Sequence, residues 1–402
     1  MPRMVTRVLV ILSITQILNW AFLFYAFALW APRIMQETGW SGSLVFGGYS
    51  LSLFVAGLIA PFTGRLVDRH GGRPVMTLGT MIGACGLVLL ATSHDPVFYF
   101  CAFALIGIGM GSALYDPAFA TLTQIAGPHA RKVISTLTLA GGFASTLSWP
   151  LTLFLFNWFD WRMTALFYAC VLTLLCTPLH FFGLPNSAHR LYQELPEHRD
   201  LPRPPPVQEQ SVRGPEWQAL GLFALVVMAH GFVTSSFSVH VIHVLDQWGL
   251  GETIAVSAGA LIGPAQVIAR LIEMLYGRHI PALTLGLGSV ALLPIAFILL
   301  MASPQGVFSA GVFALFYGAS NGLLTIVRGL VPLALFGPEG YGRRLGLVSG
   351  PALAVKAIAP MAVGAVLTGA GVGLVLWLAL ACSLLALMAM TALFMMQRSK
   401  KR

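Results

Sequence analysis

Long apolar runs constrain this chain more than any motif in it. A membrane-crossing helix needs about 20 predominantly apolar residues. Twelve stretches meet that length, at roughly 7–32, 42–65, 74–93, 96–125, 133–157, 161–184, 216–245, 251–276, 281–302, 305–335, 345–370 and 373–397. Of the 402 residues, 57% are hydrophobic and 9% charged, with a mean hydropathy of +0.82. A soluble domain carries about 25% charged residues, so a soluble enzyme is excluded. The first run, Val8 to Ile34, is too long for the core of a cleavable signal, which is about 7–15 residues. Backbone polar groups in lipid must be satisfied within the protein. The expected fold class is therefore an all-α membrane protein with twelve transmembrane helices in two six-helix pseudo-repeats.

The repeat shows in the loops. Gly64-Arg65-Leu66-Val67-Asp68-Arg69-His70-Gly71-Gly72-Arg73 returns without a gap as Ala269-Arg270-Leu271-Ile272-Glu273-Met274-Leu275-Tyr276-Gly277-Arg278. A second echo pairs Gly127-Pro128-His129-Ala130-Arg131-Lys132 with Gly337-Pro338-Glu339-Gly340-Tyr341-Gly342-Arg343-Arg344. Two parallel halves of similar length mark a transporter built from repeats. Pro185 to Gly214 is the one polar interval of any length, with Pro196, Pro202, Pro204, Pro205 and Pro206 among mixed charges. The expected organisation is an N-terminal six-helix bundle over 1–184, a Pro-rich cytoplasmic linker over 185–215 and a C-terminal bundle over 216–402.

A formal charge of +9 invites a nucleic-acid reading, but its distribution follows topology. With twelve spans both termini share a side. That side also holds the even-to-odd loops and carries Arg3, Arg7, Arg65, Arg69, Arg73, Arg131, Lys132, Arg190, Arg199, Arg203, Arg213, Arg278, Arg343, Arg344, Arg398, Lys400, Lys401 and Arg402. The opposite side holds Arg33 and Arg162. By the positive-inside rule the basic side is cytoplasmic, so the expected location is the cell (inner or plasma) membrane with both termini cytoplasmic. Cys85, Cys101, Cys170, Cys176 and Cys382 all lie in apolar runs without C-x-x-C spacing. They read as small core residues, and no metal or other cofactor is indicated. No phosphate-cradling loop or dinucleotide fingerprint is present, so any pumping draws on a gradient or on exchange.

The ten-residue stretch resembles the loop motif between helices 2 and 3 of the major facilitator superfamily, G-x-L-x-D-R-x-G-x-R. Gly64, Leu66, Asp68, Arg69, Gly71 and Arg73 match it residue by residue. The resemblance implies a gate that ties helix 2 to helix 11 on the inner side. Position nine, often basic in the family, is Gly72 here. Asp116, toward the inner end of span 4, is expected to pair with Arg73, with proton carriage as the alternative. In the second half Glu273 and Arg278 keep part of the pattern.

Ionisable residues inside spans are costly and point to function by default. They are Asp116, His230, Arg270, Glu273, Arg328 and Lys356. Lys356 lies about 16 Å into span 11 at about 1.5 Å per residue, near the midplane, where substrate sites of such folds lie. Its alternatives are pairing with Asp116 or Glu273, or snorkelling. Arg270 either faces a cavity or pairs with Glu273 three residues on, and Arg328 shares that ambiguity. Surplus positive charge favours an anionic substrate. His230 lies near mid-span 7; His240, His243 and Asp246 share one face near the outer end of that span. They read either as a proton relay or metal site or as polar residues facing water. Gln16, Asn19, Tyr25, Tyr49, Tyr115, Gln266, Tyr317 and Asn321 are candidates to line the cavity, each with a helix–helix hydrogen bond as its alternative.

Gly107-Ile108-Gly109-Met110-Gly111, Tyr115, Pro117 and the Asp160-Trp161-Arg162 corner look like the monocarboxylate and oxalate/formate exchanger branch. That resemblance implies an arginine in helix 8 and a lysine in helix 11 that hold carboxylates. Lys356 matches the lysine. The arginine position falls on Ala265, with Arg270 five residues later. The expected function is secondary transport of a small organic anion by alternating access, as proton symport or anion exchange. The alternative is proton-driven export of drugs or toxic compounds, metalloid oxyanions included. Against it, Leu139 to Thr146 lacks the Gly-Pro of the usual helix 5 exporter motif, and span 1 carries no carboxylate. The expected partners are the substrate, protons and the lipid bilayer, with no nucleic acid, and the chain is expected to be a monomer.

Overall fold

The computed structural model describes residues 2–185, 214–302 and 306–399, and all regular structure among them is helical. The apolar runs become α1 (Arg3–Thr38), α2 (Gly42–His70), α3 (Gly72–Thr92), α4 (Pro96–Ala126), α5 (Ala130–Gly141 and Ala144–Leu155) and α6 (Trp161–Gly183). They continue as α7 (Glu216–Leu250), α8 (Glu252–Tyr276), α9 (Ala282–Ala302), α10 (Val307–Phe336), α11 (Tyr341–Ala370) and α12 (Val372–Arg398). Among the described residues, eleven helices are long and apolar enough to cross a membrane. The exception is the span expected over 133–157. There Gly141 and Gly142 weaken the helix, and α5 is divided into two pieces of 12 residues each. The linker expected over 185–215 lies outside the described residues apart from its ends.

The chain forms two compact units. Met1–Ser211 together with Phe336–Gly350 makes the first, and Val212–Leu335 together with Pro351–Arg402 makes the second. The first ten residues of α11 thus belong with α1–α6. Large apolar side chains such as Leu58, Phe62, Phe182, Phe308 and Met388 stay exposed. In water they would be a liability; in lipid they are the outer face of a membrane bundle.

Small residues bring the helices together. A side chain on Gly109 would meet the Gly83 backbone of α3 at 2.6 Å, and one on Gly107 would overlap the Ser52 backbone of α2. The Gly107–Gly111 run therefore lets α4 press on two neighbours at once, which is how helices pack where lipid removes the hydrophobic drive.

Prolines shape the helices and leave work for side chains. Pro117 has no N–H and blocks the helix one turn back, so α4 breaks at Leu114 (φ −85°, ψ −156°). Ala113 loses its i+4 donor, and Gln16 Nε2 of α1 donates to that carbonyl at 2.7 Å. The second unit repeats the device. Pro360 deprives Lys356 of its donor, and Ser235 Oγ of α7 donates to the Lys356 carbonyl at 2.8 Å.

Two substitutions test this packing. Gly107→Val should lower the thermal midpoint of purified protein by several degrees, because backbone blocks the new side chain. Gly263→Ala, which meets nothing within 4 Å, should leave the midpoint unchanged or raise it, since alanine favours helix by about 0.5–1 kcal/mol. Equal effects would remove close approach as the reason for the Gly107–Gly111 run.

Candidate functional site

The gate stretch forms the end of α2. Asp68 Oδ1 accepts the Gly342 N–H at 2.9 Å and Oδ2 the Arg343 N–H at 2.8 Å. Both are first-turn amides of α11, which lack intrahelical partners. A carboxylate there also meets the positive end of the helix dipole. The approach requires glycine: a side chain on Gly64 would overlap the Gly342 backbone, and one on Gly346 would overlap Ala60. Gly71 ends α2 at φ +79°, a conformation that favours glycine, and its N–H returns to Val67 O at 2.8 Å. Gln124 Nε2 of α4 donates to the same carbonyl at 3.0 Å.

The departure at Gly72 has a steric cause, because any side chain there would overlap Thr121. Arg69 is exposed on the last turn of α2. Arg73 places its guanidinium 4.4 Å above the Phe181 ring, a cation–π arrangement. Asp116 sits half-buried in the first turn after the α4 break, where the helix dipole favours its charge.

In the second unit Arg270 and Glu273 are both buried. Arg270 Nε donates to Gly322 O at 3.2 Å and Nη2 to Thr325 Oγ1 at 3.3 Å, joining α8 to α10. Asn321 O accepts from Thr325 at 3.0 Å. Gly322 lets α10 close on the Gln266 backbone. Gln266, Asn321 and Arg328 are half-buried. The backbone of Arg278 lies in the short turn after α8.

Lys356 lies half-buried in α11, its stem packed on Gly231 of α7: a side chain there would come within 3.0 Å of Lys356 Cε. The Lys356 charge interacts electrostatically with His230, the preceding residue of α7. Ser320 Oγ donates to Ser289 O at 2.7 Å, so it accepts from His230 Nε2 at 3.0 Å, which assigns the ring proton to Nε2. His240 and His243 are engaged separately. The first contacts Pro360 O at 2.9 Å and the second Gln247 Nε2 at 3.0 Å. Among the described residues no group of three metal-ligating side chains occurs.

The first unit holds a cluster of rings. Trp20 lies 5.0 Å from Phe24, 6.3 Å from Tyr25 and 5.0 Å from Tyr115. Tyr25 meets Trp149 edge-on at 6.2 Å, and Phe24 reaches Tyr49 at 5.7 Å. Tyr115 OH donates to Thr138 O at 3.4 Å. Asn19 is fully buried and donates to Thr15 O at 2.8 Å. Sequence reasoning selected Asn19, Tyr25, Tyr49 and Tyr115 but missed Trp20, Phe24 and Trp149. The i, i+4 spacing of Trp20 and Phe24 was a usable signal; the approach of Trp149 depends on the fold.

The carboxylate at Asp68 can be tested alone. Asp68→Asn keeps the size but turns one acceptor into a donor facing an amide. It should destabilise the purified protein by about 1–3 kcal/mol, read as a lower denaturation midpoint. An unchanged midpoint would mean that water caps α11 equally well.

With this geometry in hand, known proteins place the chain. The family model described as Major Facilitator Superfamily matches residues 11–333. The human organic anion transporter MFSD10 superposes with a TM-score of 0.75 at 17% identity, covering 97% of this chain and 100% of that one. The proton:xylose symporter XylE gives a TM-score of 0.73 at 13% identity, covering 96% and 94%. By sequence, Multidrug resistance protein MdtH of Klebsiella pneumoniae subsp. pneumoniae is 29% identical over 154 residues. That match spans 37% of this chain and 38% of the relative, well under half of its length. The matched family model, the helical fold shared along nearly the whole chain and the long apolar helices agree: the chain belongs to the Major Facilitator Superfamily and is a multi-pass membrane protein.

Proposed function

We propose that this transporter exports small lipophilic organic compounds, coupled to protons. The observation that carries the reading is the ring cluster around Trp20 and Tyr25, bordered by neutral polar groups of α1. Aromatic rings supply large contact area at low conformational cost, and neutral polar groups orient a ligand without demanding a matching charge. The partial likeness to a multidrug resistance protein points the same way. Arg270 commits Nε and Nη2 to Gly322 and Thr325 of α10, which gives this cation a helix-joining role beside any contact with substrate.

A second reading, transport of a small carboxylate by proton symport or anion exchange, is favoured by Lys356. A half-buried ammonium in the middle of α11, beside His230, is a plausible carboxylate partner. In the export reading the same ammonium is a coupling group.

The distribution of Lys and Arg supports a cell-membrane protein with both termini in the cytoplasm. On that topology the Asp68 junction is the inner gate, with Gly64, Arg69, Gly71 and Arg73 shaping the turn behind it. Rupture of the two Asp68 bonds would free the first turn of α11 from α2. The transporting unit is a monomer, and its substrate is a small molecule.

Inside-out membrane vesicles decide between the two readings. With an acid-interior gradient, chloramphenicol and ethidium should accumulate, and a protonophore should abolish the uptake. Exit of preloaded benzoate from the same vesicles, or its exchange for external benzoate, lost in Lys356→Gln and with neither drug taken up, would overturn drug export in favour of the anion reading.

A further inference from the structure

Resting on the export reading, we infer that Ser148 of α5 is a positioning residue for aromatic substrates: its bond to the Ala21 carbonyl holds a wide turn in α1 that brings Tyr25 into the ring cluster. Past Trp20, α1 departs from a regular helix. Over Ala21–Tyr25 it takes a π-turn. The Ala26 N–H reaches five residues back to Ala21 O at 3.0 Å, where a regular helix reaches four. Ordinary spacing resumes at once, since the Trp30 N–H returns to Ala26 O at 3.2 Å. Ser148 Oγ donates to the same Ala21 carbonyl at 2.8 Å. A carbonyl oxygen has two lone pairs, and here one serves the wide turn and the other serves α5. A side chain that inserts into the helical ladder in this way is a known cause of local distortion.

The turn decides where Tyr25 points. In a regular helix, at about 100° per residue, a side chain five positions after Trp20 stands about 140° away from it around the axis, and only residues three and four apart are neighbours. Phe24 is such a neighbour and reaches Trp20 in any case. Tyr25 is not. The extra residue of the π-turn brings it round: the ring centroids of Trp20 and Tyr25 lie 6.3 Å apart, and each lies 5.0 Å from Phe24. α5 meets the turn at two successive residues, since Trp149, next to Ser148, approaches the Tyr25 ring edge-on at 6.2 Å.

The brace itself is buried. Ala21, Ser148, Thr152 and Tyr168 are all 0% exposed. Phe22, inside the turn, stacks on Tyr168 of α6 at 4.0 Å. Thr152 Oγ1 donates to Ser148 O at 2.6 Å, so it accepts from the Tyr168 hydroxyl at 2.7 Å. The rings that the turn carries are more open: Phe24 and Tyr25 are half-buried, and Trp149 is 46% exposed. The turn is thus fixed from inside the protein and presents its rings toward an open edge. A π-turn is one inserted residue. With both flanks of α1 packed, the insertion can slide along the helix but cannot vanish, and each residue it passes turns by about 100°. The Ser148 hydroxyl pins it at Ala21; without that bond it slides and Tyr25 leaves the cluster. The cluster then loses one ring of contact for a flat aromatic group.

Calorimetric titration of chloramphenicol, a neutral aromatic compound, into purified full-length protein tests this role. Ser148→Ala should raise its Kd about fivefold or more, as the loss of one ring contact predicts. Tyr25→Leu should raise it by a similar factor. Ser148→Ala added to Tyr25→Leu should raise it no further, because both act through one ring. A hydroxyl that merely stabilised the bundle would add its own loss in the double variant. Ser148→Cys keeps the bulk and donates only weakly; it should fall between the wild type and Ser148→Ala, and it serves if the alanine variant does not fold. An unchanged Kd in both Ser148 variants, or losses that add to that of Tyr25→Leu, overturns the positioning role. Chloramphenicol uptake by wild-type vesicles separates the two failures. If the wild type takes up the drug, only the role of Ser148 has fallen; if it neither binds the drug nor takes it up, the export reading has fallen and the positioning role with it.

Discussion

The Asp68 carboxylate, shared between the Gly342 and Arg343 amides, holds the first unit in its present form. Each bond joins a charged acceptor to an amide that its own helix leaves empty, worth about 1.5–3 kcal/mol apiece. The pairing works only because Gly64, Gly342 and Gly346 let the two helices meet at backbone distance. It also explains a division that the sequence did not announce. Tyr341–Gly350 belongs with the first unit, and the same helix continues into the second from Pro351.

A second constraint is the chemistry of proline in lipid. Each interior proline empties a carbonyl one turn back, and lipid offers it no donor. Here the vacancies at Ala113 and Lys356 are filled by Gln16 and Ser235 from neighbouring helices. Both repairs fall beside candidate site residues. The first fixes the Gln16 amide and turns its oxygen away from Ala113. The second secures the backbone at Lys356 while its stem rests on Gly231.

Fold class, helix order and the turn at Gly71 were legible because each rests on local chemistry. Span length follows from run length, and Gly71 and Asp68 carry their roles in residue type. The α5 division was hidden, because an apolar run reads as continuous whether or not two glycines interrupt its hydrogen bonds. The α4 break was signalled by Pro117, yet an apolar run around it masked the signal. The Gly107–Gly111 run was read as a mark of one transporter branch; the structure gives it a packing role that serves α2 and α3 together. Counting cations in spans suggested a surplus, but counting cannot show that Arg270 is occupied by Gly322 and Thr325. The ring cluster joins helices far apart in sequence, so only its α1 members had a readable spacing.

The most direct test of this account is hydrogen–deuterium exchange at the first turn of α11, measured on peptides that contain Gly342 and Arg343. If the Asp68 carboxylate caps these amides, they exchange slowly in the wild type. In Asp68→Asn the Arg343 amide loses its acceptor and should exchange at least tenfold faster, with the rest of α11 unchanged. Fast exchange already in the wild type, or no difference between the two proteins, would contradict the claim that this carboxylate holds α11 to α2.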